Sequence, residues 1–277
     1  MQTVFTTVQK VQEVSALLEI PDSRIIAGGT GFSAESREAS RLIDISQLDG
    51  MRGIKQKGNR IEIGPLTTLS MLAASPLLKE NAPALAEAAD AVKDETIREQ
   101  GTLGGNLADE RIGDAAAALL ASGAKLTIKT ETDFREILID RFWTPDGQND
   151  LQYDEWITKI TLQMPKEKYM GEAFGMIGQW DRITEPLAAA AVRLCLDEND
   201  EINAVRGGLR IGRKNIRRMF PLEKALKNQI AGDASFAKAA AAMAAAVKTD
   251  VSETGLSDLL MGLLQRSLAM VNERRML

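Results

Sequence analysis

Glycine and hydroxyl residues are concentrated in two short segments that could bind an anion. The first glycine loop, residues 25–33, reads IIAGGTGFS. It begins within a predicted strand at residues 24–27, which runs directly into Gly28 and Gly29. Glycine permits positive φ angles and close approach of a ligand to the main chain, so successive N–H groups can surround an anion. The loop suits a pyrophosphate held without lysine, with Thr30 and Ser33 as further donors, and it has neither P-loop nor GxGxxG spacing. An ordinary strand-to-helix turn is the alternative.

The second glycine loop, residues 98–106, combines a threonine, adjacent glycines and an amide side chain. It reads REQGTLGGN, and Asp114 follows it at the start of a predicted helix. A carboxylate can bind ribose or polyol hydroxyls, and the Asn106 amide can both donate and accept hydrogen bonds. The alternative role for Asp114 is a helix N-cap, which needs no ligand. If both loops hold one dinucleotide, we expect them to converge on its diphosphate through main-chain amides.

The composition excludes several kinds of catalytic site. The 277 residues include no histidine and a single cysteine, Cys195. A Ser-His-Asp triad, a histidine base, a histidine-ligated metal and an internal disulfide are therefore excluded within this sequence. The formal net charge of −5 gives no attraction toward nucleic acid. We expect a cytoplasmic protein without a signal peptide, a membrane span or a metal site of its own.

Three blocks of secondary structure are predicted to position the loops. Residues 1–54 alternate helix and strand, residues 55–168 contain the second loop, and residues 169–277 begin with strands and end in helices. Helices are predicted at residues 8–18, 69–78, 82–92, 114–122, 221–230, 236–247 and 256–272. Strands are predicted at residues 24–27, 41–45, 60–64, 125–129, 156–162, 187–196 and 202–206.

Several motifs together resemble the FAD-binding medium subunit of molybdenum hydroxylases of the carbon monoxide, xanthine and nicotinate dehydrogenase type. They are 27–30 (AGGT), 42–45 (LIDI), 63–68 (IGPLTT), 73–77 (AASPL), 101–107 (GTLGGNL), 206–209 (RGGL) and 221–226 (PLEKAL). The resemblance covers nearly the whole chain. It implies an α+β fold: a two-subdomain FAD-binding fold of the vanillyl-alcohol-oxidase or MurB-like (PCMH) type, plus a C-terminal α+β domain whose sheet is packed by helices. The implied domains are subdomain 1 (1–54), subdomain 2 (55–168) and the C-terminal flavoprotein domain (169–277).

The resemblance further implies FAD as the cofactor and identifies its contacts. In such flavoproteins the AGGT loop wraps the FAD pyrophosphate, and the Thr-x-Gly-Gly-Asn loop also lines the cofactor. The family's acidic residue after that loop maps to Asp114, which would contact ribityl or ribose hydroxyls. Val92 and Ile157 match positions beside the isoalloxazine, with a core role as the alternative. The implied contacts are Ile26, Ala27, Gly28, Gly29, Thr30, Gly31, Phe32, Ser33, Thr102, Gly104, Gly105, Asn106, Asp114 and Ile157.

An electron-transfer role with partner chains is also implied. One partner, the small subunit, would carry two [2Fe-2S] clusters, and the large subunit would carry molybdopterin. Electrons would pass from the clusters to FAD and then to an acceptor such as NAD. The chemistry would belong to the flavin, so no catalytic residue is assigned in this chain.

Three features depart from the family pattern. Gly31 stands where the family usually has Asp, and the stretch between Asn106 and Asp114 is one residue shorter than usual. Residues 173–182 (AFGMIGQWDR) lack the family's frequent Lys and Arg-Arg pair. Two alternatives stay open: a self-contained FAD-dependent oxidoreductase with its own substrate, and an FAD-free scaffold descended from the same fold. These departures favour the second of the two.

Overall fold

A computed structural model describes most of the chain. The described residues are 3–31, 39–109, 113–144, 146–167, 169–178, 187–212, 215–247, 249 and 251–276. Two predicted FAD contacts, Phe32 and Ser33, lie outside them. Among the helices in these ranges, none combines the length and the apolar character needed to cross a membrane.

The N-terminal elements form a small parallel sheet with one helix packed on it. The strand order is β1-β3-β2, with both pairings parallel. The elements are β1 (Val4–Thr7), α1 (Val11–Leu18), β2 (Ser23–Ile26) and β3 (Arg41–Asp44). Helix α1 buries Val14 and Leu18 in one cluster with Ile43 of the central strand, as its apolar spacing predicts. Strand β2 is an edge strand and leads directly into the first glycine loop.

The middle of the chain forms a five-stranded antiparallel sheet in the order β4-β5-β8-β6-β7. Its strands are β4 (Ile54–Lys57), β5 (Arg60–Ile63), β6 (Lys125–Lys129), β7 (Phe134–Leu138) and β8 (Trp156–Gln163). The helices of this region are α2 (Leu69–Ala74), α3 (Pro76–Asn81), α4 (Pro83–Asp90), α5 (Glu95–Gln100), α6 (Leu103–Ala108) and α7 (Ala115–Ser122). Every residue of α7 is buried, because its alanines allow close packing on all sides.

The predicted single helix at residues 69–78 is wrong. Ser75 ends α2 with an extended backbone, and its hydroxyl accepts a hydrogen bond from the Leu78 N–H at 3.3 Å as the N-cap of α3. Pro76 occupies the first position of α3, where its missing N–H costs little. The residue before a proline disfavours helical angles, so two short helices replace one.

The C-terminal block forms a four-stranded antiparallel sheet in the order β12-β11-β10-β9, covered by helices. Its elements are β9 (Tyr169–Ile177), β10 (Ala188–Leu196), β11 (Ile202–Ile211), β12 (Asn215–Arg218), α8 (Phe220–Leu226), α9 (Asp233–Ala245) and α10 (Glu253–Met276). The alanine-rich helix α9 packs Ala239, Ala240 and Met243 into the hydrophobic cluster that this sheet forms with its helices. The predicted boundaries at 54/55 and 168/169 stay predictions, and β4 of the middle sheet begins one residue before the first of them, at Ile54.

Candidate cofactor-binding cleft

A cleft of about 780 Å³ lies where the two glycine loops meet. This volume is in the range of small-molecule and cofactor sites. Every predicted contact that falls in the described residues lines it: Ile26, Ala27, Gly28, Gly29, Thr30, Gly31, Thr102, Gly104, Gly105, Asn106, Asp114 and Ile157. The structure therefore brings together residues from distant parts of the chain that only the motifs had linked.

The two loops touch each other directly, and glycines make that contact feasible. A Cβ built on Gly28 would collide with the carbonyl oxygen of Gln100. A Cβ on Gly101 would lie 3.3 Å from the hydroxyl oxygen of Thr30. A Cβ on Gly31 would collide with the carboxylate of Asp109. The convergence expected from the sequence is thus present and depends on missing side chains.

The first glycine loop offers main-chain donors that no described residue uses. Gly29 has φ +71°, a conformation that glycine adopts without the steric cost of a Cβ. Within the described part of the chain, no hydrogen bond uses the N–H groups of Gly28, Gly29 or Thr30. Successive free N–H groups on a cleft wall are suited to an anion such as a diphosphate.

The second glycine loop differs from the expectation of an open, amide-donating turn, because much of it is the helix α6. The Thr102 hydroxyl caps this helix by accepting from the Gly105 N–H at 3.2 Å. The N–H groups of Leu103, Gly104 and Asn106 bond to the carbonyls of Thr67, Pro65 and Thr102 at 2.8–2.9 Å. These main-chain donors are therefore already paired, and the loop presents side chains to the cleft instead.

Asn106 presents an unsatisfied polar atom to the cleft. Its Oδ1 is buried, and no described residue donates a hydrogen bond to it. A buried polar atom without a partner costs free energy, and a hydroxyl or N–H from a bound molecule would satisfy it. Together with the free N–H groups of the first loop, this acceptor fits a cofactor that carries both phosphate and hydroxyl groups.

Asp114 is not the helix cap that the alternative interpretation requires. It precedes α7 with helical backbone angles, and its side chain makes no capping hydrogen bond. Its Oδ1 instead accepts hydrogen bonds from Arg210 Nε at 3.0 Å and Nη2 at 2.5 Å. Arg210 belongs to strand β11, is 3% exposed and also lines the cleft.

Arg210 has no signal in the sequence that marks it as a site residue. It is separated from Asp114 by 96 positions, and no short motif links the two. Only the packing of the C-terminal sheet on α7 brings them together.

The rest of the wall is partly apolar and carries no evident acid–base group. Val92, Ile97 and Ile157 line the cleft, and Ile157 is also 5% exposed within the main core, so both roles expected for it are compatible. Burial alone would raise the pKa of Glu155, but hydrogen bonds from Arg135 and the Gln152 N–H lower it below the usual value. Glu155 is therefore a carboxylate near neutral pH.

Neither the single cysteine nor the acidic side chains of the described residues form a second reactive or metal-binding centre. Burial raises the pKa of the Cys195 thiol to about 12, which keeps it protonated. In the described ranges, no group of three or more His, Cys, Asp or Glu side chains is arranged to hold a metal ion.

Residues 1–165 match a protein family described as the FAD binding domain in molybdopterin dehydrogenase. The nicotinate dehydrogenase FAD-subunit of Eubacterium barkeri is 29% identical over 173 residues, 58% of each chain. The carbon monoxide dehydrogenase medium chain of Hydrogenophaga pseudoflava is 29% identical over 146 residues, 51% of each chain. The chain thus spans little more than half the length of these curated relatives.

The whole fold has a close counterpart among solved structures. A chain of carbon monoxide dehydrogenase from Hydrogenophaga pseudoflava, in a form lacking the Mo-pyranopterin moiety, superposes with a TM-score of 0.87 and 23% identity, covering 99% of this chain and 98% of that one. This likeness confirms the predicted α+β fold class. With the match over residues 1–165, the chain belongs to the family of FAD-binding domains of molybdopterin dehydrogenases, and FAD is confirmed as its predicted cofactor.

Proposed function

We propose that this chain is the FAD-carrying electron-transfer subunit of a molybdenum hydroxylase or dehydrogenase complex. It takes electrons from the [2Fe-2S] clusters of a small partner subunit. A large molybdopterin subunit hydroxylates the substrate, and NAD is an acceptor that the flavin can serve. The cytoplasmic location expected from the sequence is part of the same proposal.

One observation carries the cofactor part of the proposal. Two glycine loops from distant parts of the chain meet across one cleft, and no described residue pairs with three successive N–H groups of the first loop. Unpaired main-chain N–H groups cost free energy when they are shielded from water. Successive N–H groups of this kind are suited to bind an anion. Because the family binds FAD, the anion that we propose for this loop is the FAD diphosphate.

Different residues of the cleft bind different parts of the cofactor. The N–H groups of Gly28, Gly29 and Thr30 hold the diphosphate, with the Thr30 hydroxyl as a further donor. Asn106 Oδ1 and Asp114 accept hydrogen bonds from ribityl or ribose hydroxyls. The apolar residues of the wall, among them Ile157, exclude water from the ring system.

Bound FAD supplies storage of two electrons and their exchange one at a time. The chain's residues bind and orient the cofactor and set its electrostatic surroundings. Transfer of electrons needs no proton abstraction by a side chain of this chain, and Glu155 is held as a carboxylate by Arg135. Substrate specificity then belongs to the partner that carries molybdenum.

A titration followed by a coexpression experiment tests the proposal. The purified chain is titrated with FAD, and quenching of flavin fluorescence gives the Kd. We expect a yellow one-to-one complex. The chain is then expressed together with candidate iron–sulfur and molybdopterin subunits, and copurification and flavin reduction by substrate are measured.

The two stages separate the alternatives. We expect substrate to reduce the flavin only in the assembled complex. Reduction of the isolated flavoprotein by an organic substrate would instead support a self-contained oxidoreductase. A parent protein that binds no FAD would support the scaffold alternative.

A further inference from the structure

Strand β11 of the C-terminal sheet runs along helix α7, whose N-terminal end borders the cleft. Alternate residues of a strand point to the same face, and three of them meet the helix in turn. Arg206 donates to a carbonyl at its C-terminal end. Gly208 lies against its middle, where a Cβ would collide with main-chain atoms. Arg210 then reaches Asp114 at its N-terminal end.

The geometry of the Arg210–Asp114 pair leaves one carboxylate oxygen available. Both hydrogen bonds from Arg210 end on Oδ1, and no hydrogen bond within the described residues ends on Oδ2. The third donor used, Nη1, bonds to the carbonyl of Gly212. The Arg210 side chain is 4% exposed and that of Asp114 is 16% exposed. The guanidinium is thus fixed and buried, while the carboxylate keeps partial access to the cleft.

We infer that Arg210 is a positioning residue of the cofactor site, an inference that rests on the proposed function. It holds Asp114 so that Oδ2 is available to a cofactor hydroxyl, and it neutralises the carboxylate. The C-terminal domain therefore takes part in FAD binding from outside the two glycine loops. A planar guanidinium fixed by several hydrogen bonds is suited to hold a carboxylate in one orientation.

Neutralisation distinguishes this role from simple packing. The FAD diphosphate is anionic, and an unpaired carboxylate on the same cleft wall repels it in a medium of reduced dielectric constant. Removing Arg210 should weaken FAD binding for two reasons. The Asp114 side chain is no longer held in one orientation, and its negative charge is no longer neutralised. Replacing Asp114 by asparagine in the same protein removes the repulsion and keeps a hydrogen-bonding side chain, so part of the affinity should return.

The same sheet supplies a matched control. Arg193 of β10 pairs with Glu172, with side chains 12% and 1% exposed, and Glu172 also accepts from the Ala84 N–H of α4 at 3.3 Å. This pair also joins the C-terminal sheet to the FAD-binding region. Neither partner lines the cleft, so breaking this pair should lower stability without changing FAD affinity.

The experiment measures FAD Kd by fluorescence and Tm of the apoprotein for five proteins: the parent, Arg210→Met, Arg210→Lys, the double variant Asp114→Asn/Arg210→Met, and Arg193→Met. For Arg210→Met we expect a Kd about 10- to 100-fold above that of the parent. For Arg210→Lys, which keeps the charge but loses the planar array, we expect an increase of about 3- to 10-fold. The double variant should bind FAD at least about threefold more tightly than Arg210→Met does.

Separate outcomes decide the inference and the proposed function. A parent protein without FAD binding overturns both. A parent that binds FAD, with an unchanged Kd in Arg210→Met or, if that variant does not fold, in Arg210→Lys, overturns the inference alone. A rise in Kd for Arg193→Met equal to that for Arg210→Met, or no recovery in the double variant, assigns Arg210 a purely structural role and also overturns it.

Discussion

The two glycine loops contain similar residues but differ in what they leave unpaired. The first loop keeps the N–H groups of Gly28, Gly29 and Thr30 without partners in the described residues, whereas the second folds into a capped helix whose first N–H groups are bonded. In the first loop, Gly29 adopts a positive φ and Gly28 lies in close contact with the second loop. In the second loop, Gly104 allows helix α6 to pack against Pro65. Similar motifs therefore offer different groups to the cleft: the first loop offers main-chain N–H groups, whereas the second presents the Asn106 side chain and supports the first loop.

Substitution of Gly28 by alanine is expected to have the largest effect. The new Cβ would collide with the Gln100 carbonyl, a main-chain atom that cannot rotate away, so the loops must separate. We expect the free energy of unfolding to fall by about 2–3 kcal/mol, the upper part of the range for overpacked sites. We also expect this variant to show the largest rise in the FAD Kd among the glycine and threonine variants. Denaturant unfolding and FAD titration measure these two effects.

The control for Gly28→Ala is Gly262→Ala in helix α10. A Cβ at Gly262 would lie within 4 Å of no described atom outside the helix backbone and the two neighbouring residues, and alanine is favoured over glycine in a helix by about 1 kcal/mol. This variant should be slightly more stable and bind FAD as the parent does. Parental FAD affinity in Gly28→Ala would show that the contact between the loops is not needed.

Substitution of Gly104 by alanine is expected to rank second. Its Cβ would lie 2.8 Å from Pro65 Cβ and 3.0 Å from the Pro65 carbonyl oxygen, which a small shift of α6 can relieve. We expect a loss of about 1–2 kcal/mol in stability and a smaller rise in the FAD Kd than for Gly28→Ala. Equal or greater loss of FAD binding here would assign the second loop the leading role.

The threonines of the two loops provide the sharpest pair of variants. Thr102→Val removes the N-cap of α6 and should lower stability by about 1 kcal/mol, with a small change in FAD affinity. Thr30→Val removes an exposed hydroxyl and should leave stability unchanged while raising the FAD Kd about tenfold, as expected for loss of one hydrogen bond to a charged group. If the two effects were interchanged, the division between the loops would be wrong.

Substitution of Gly105 by alanine should have the smallest effect. Its Cβ would lie 3.1 Å from the Thr102 hydroxyl oxygen, and no other atom of the described residues lies within 4 Å apart from the helix backbone and the two neighbouring residues. Alanine also favours the helix. We expect the free energy of unfolding to stay within about 1 kcal/mol of the parent value. A severe loss of FAD binding would show that the cofactor lies directly against this residue.

Local sequence patterns predicted much of this architecture. The helix at residues 8–18 and the strands at 24–27, 41–45 and 60–64 are present within a few residues, because one buried face gives each a clear period. The prediction that the glycine loops converge depended on the family motifs, because no local sequence pattern indicates that residue 28 lies beside residue 100. Strands β1, β4, β7, β9 and β12 were not predicted.

The main errors concern residues whose structure depends on distant contacts. Glycine disfavours helix, so the second loop was interpreted as an open turn, yet the Thr102 cap and the bond from Gly104 N–H to Pro65 stabilise α6 there. Arg210 was missed because its partner Asp114 lies 96 positions away in the chain. A buried arginine on an otherwise alternating strand indicates only that a carboxylate is nearby, without indicating which one.

Amide hydrogen exchange, resolved by residue with NMR, tests the division between the loops most directly. The apoprotein and the FAD complex are compared at the N–H groups of Gly28, Gly29 and Thr30 and at those of Gly104, Gly105 and Asn106. We predict that FAD slows exchange at least about tenfold in the first set, as hydrogen bonds form to the diphosphate, with a much smaller change in the second. Unchanged exchange in the first loop of a protein saturated with FAD would contradict the account.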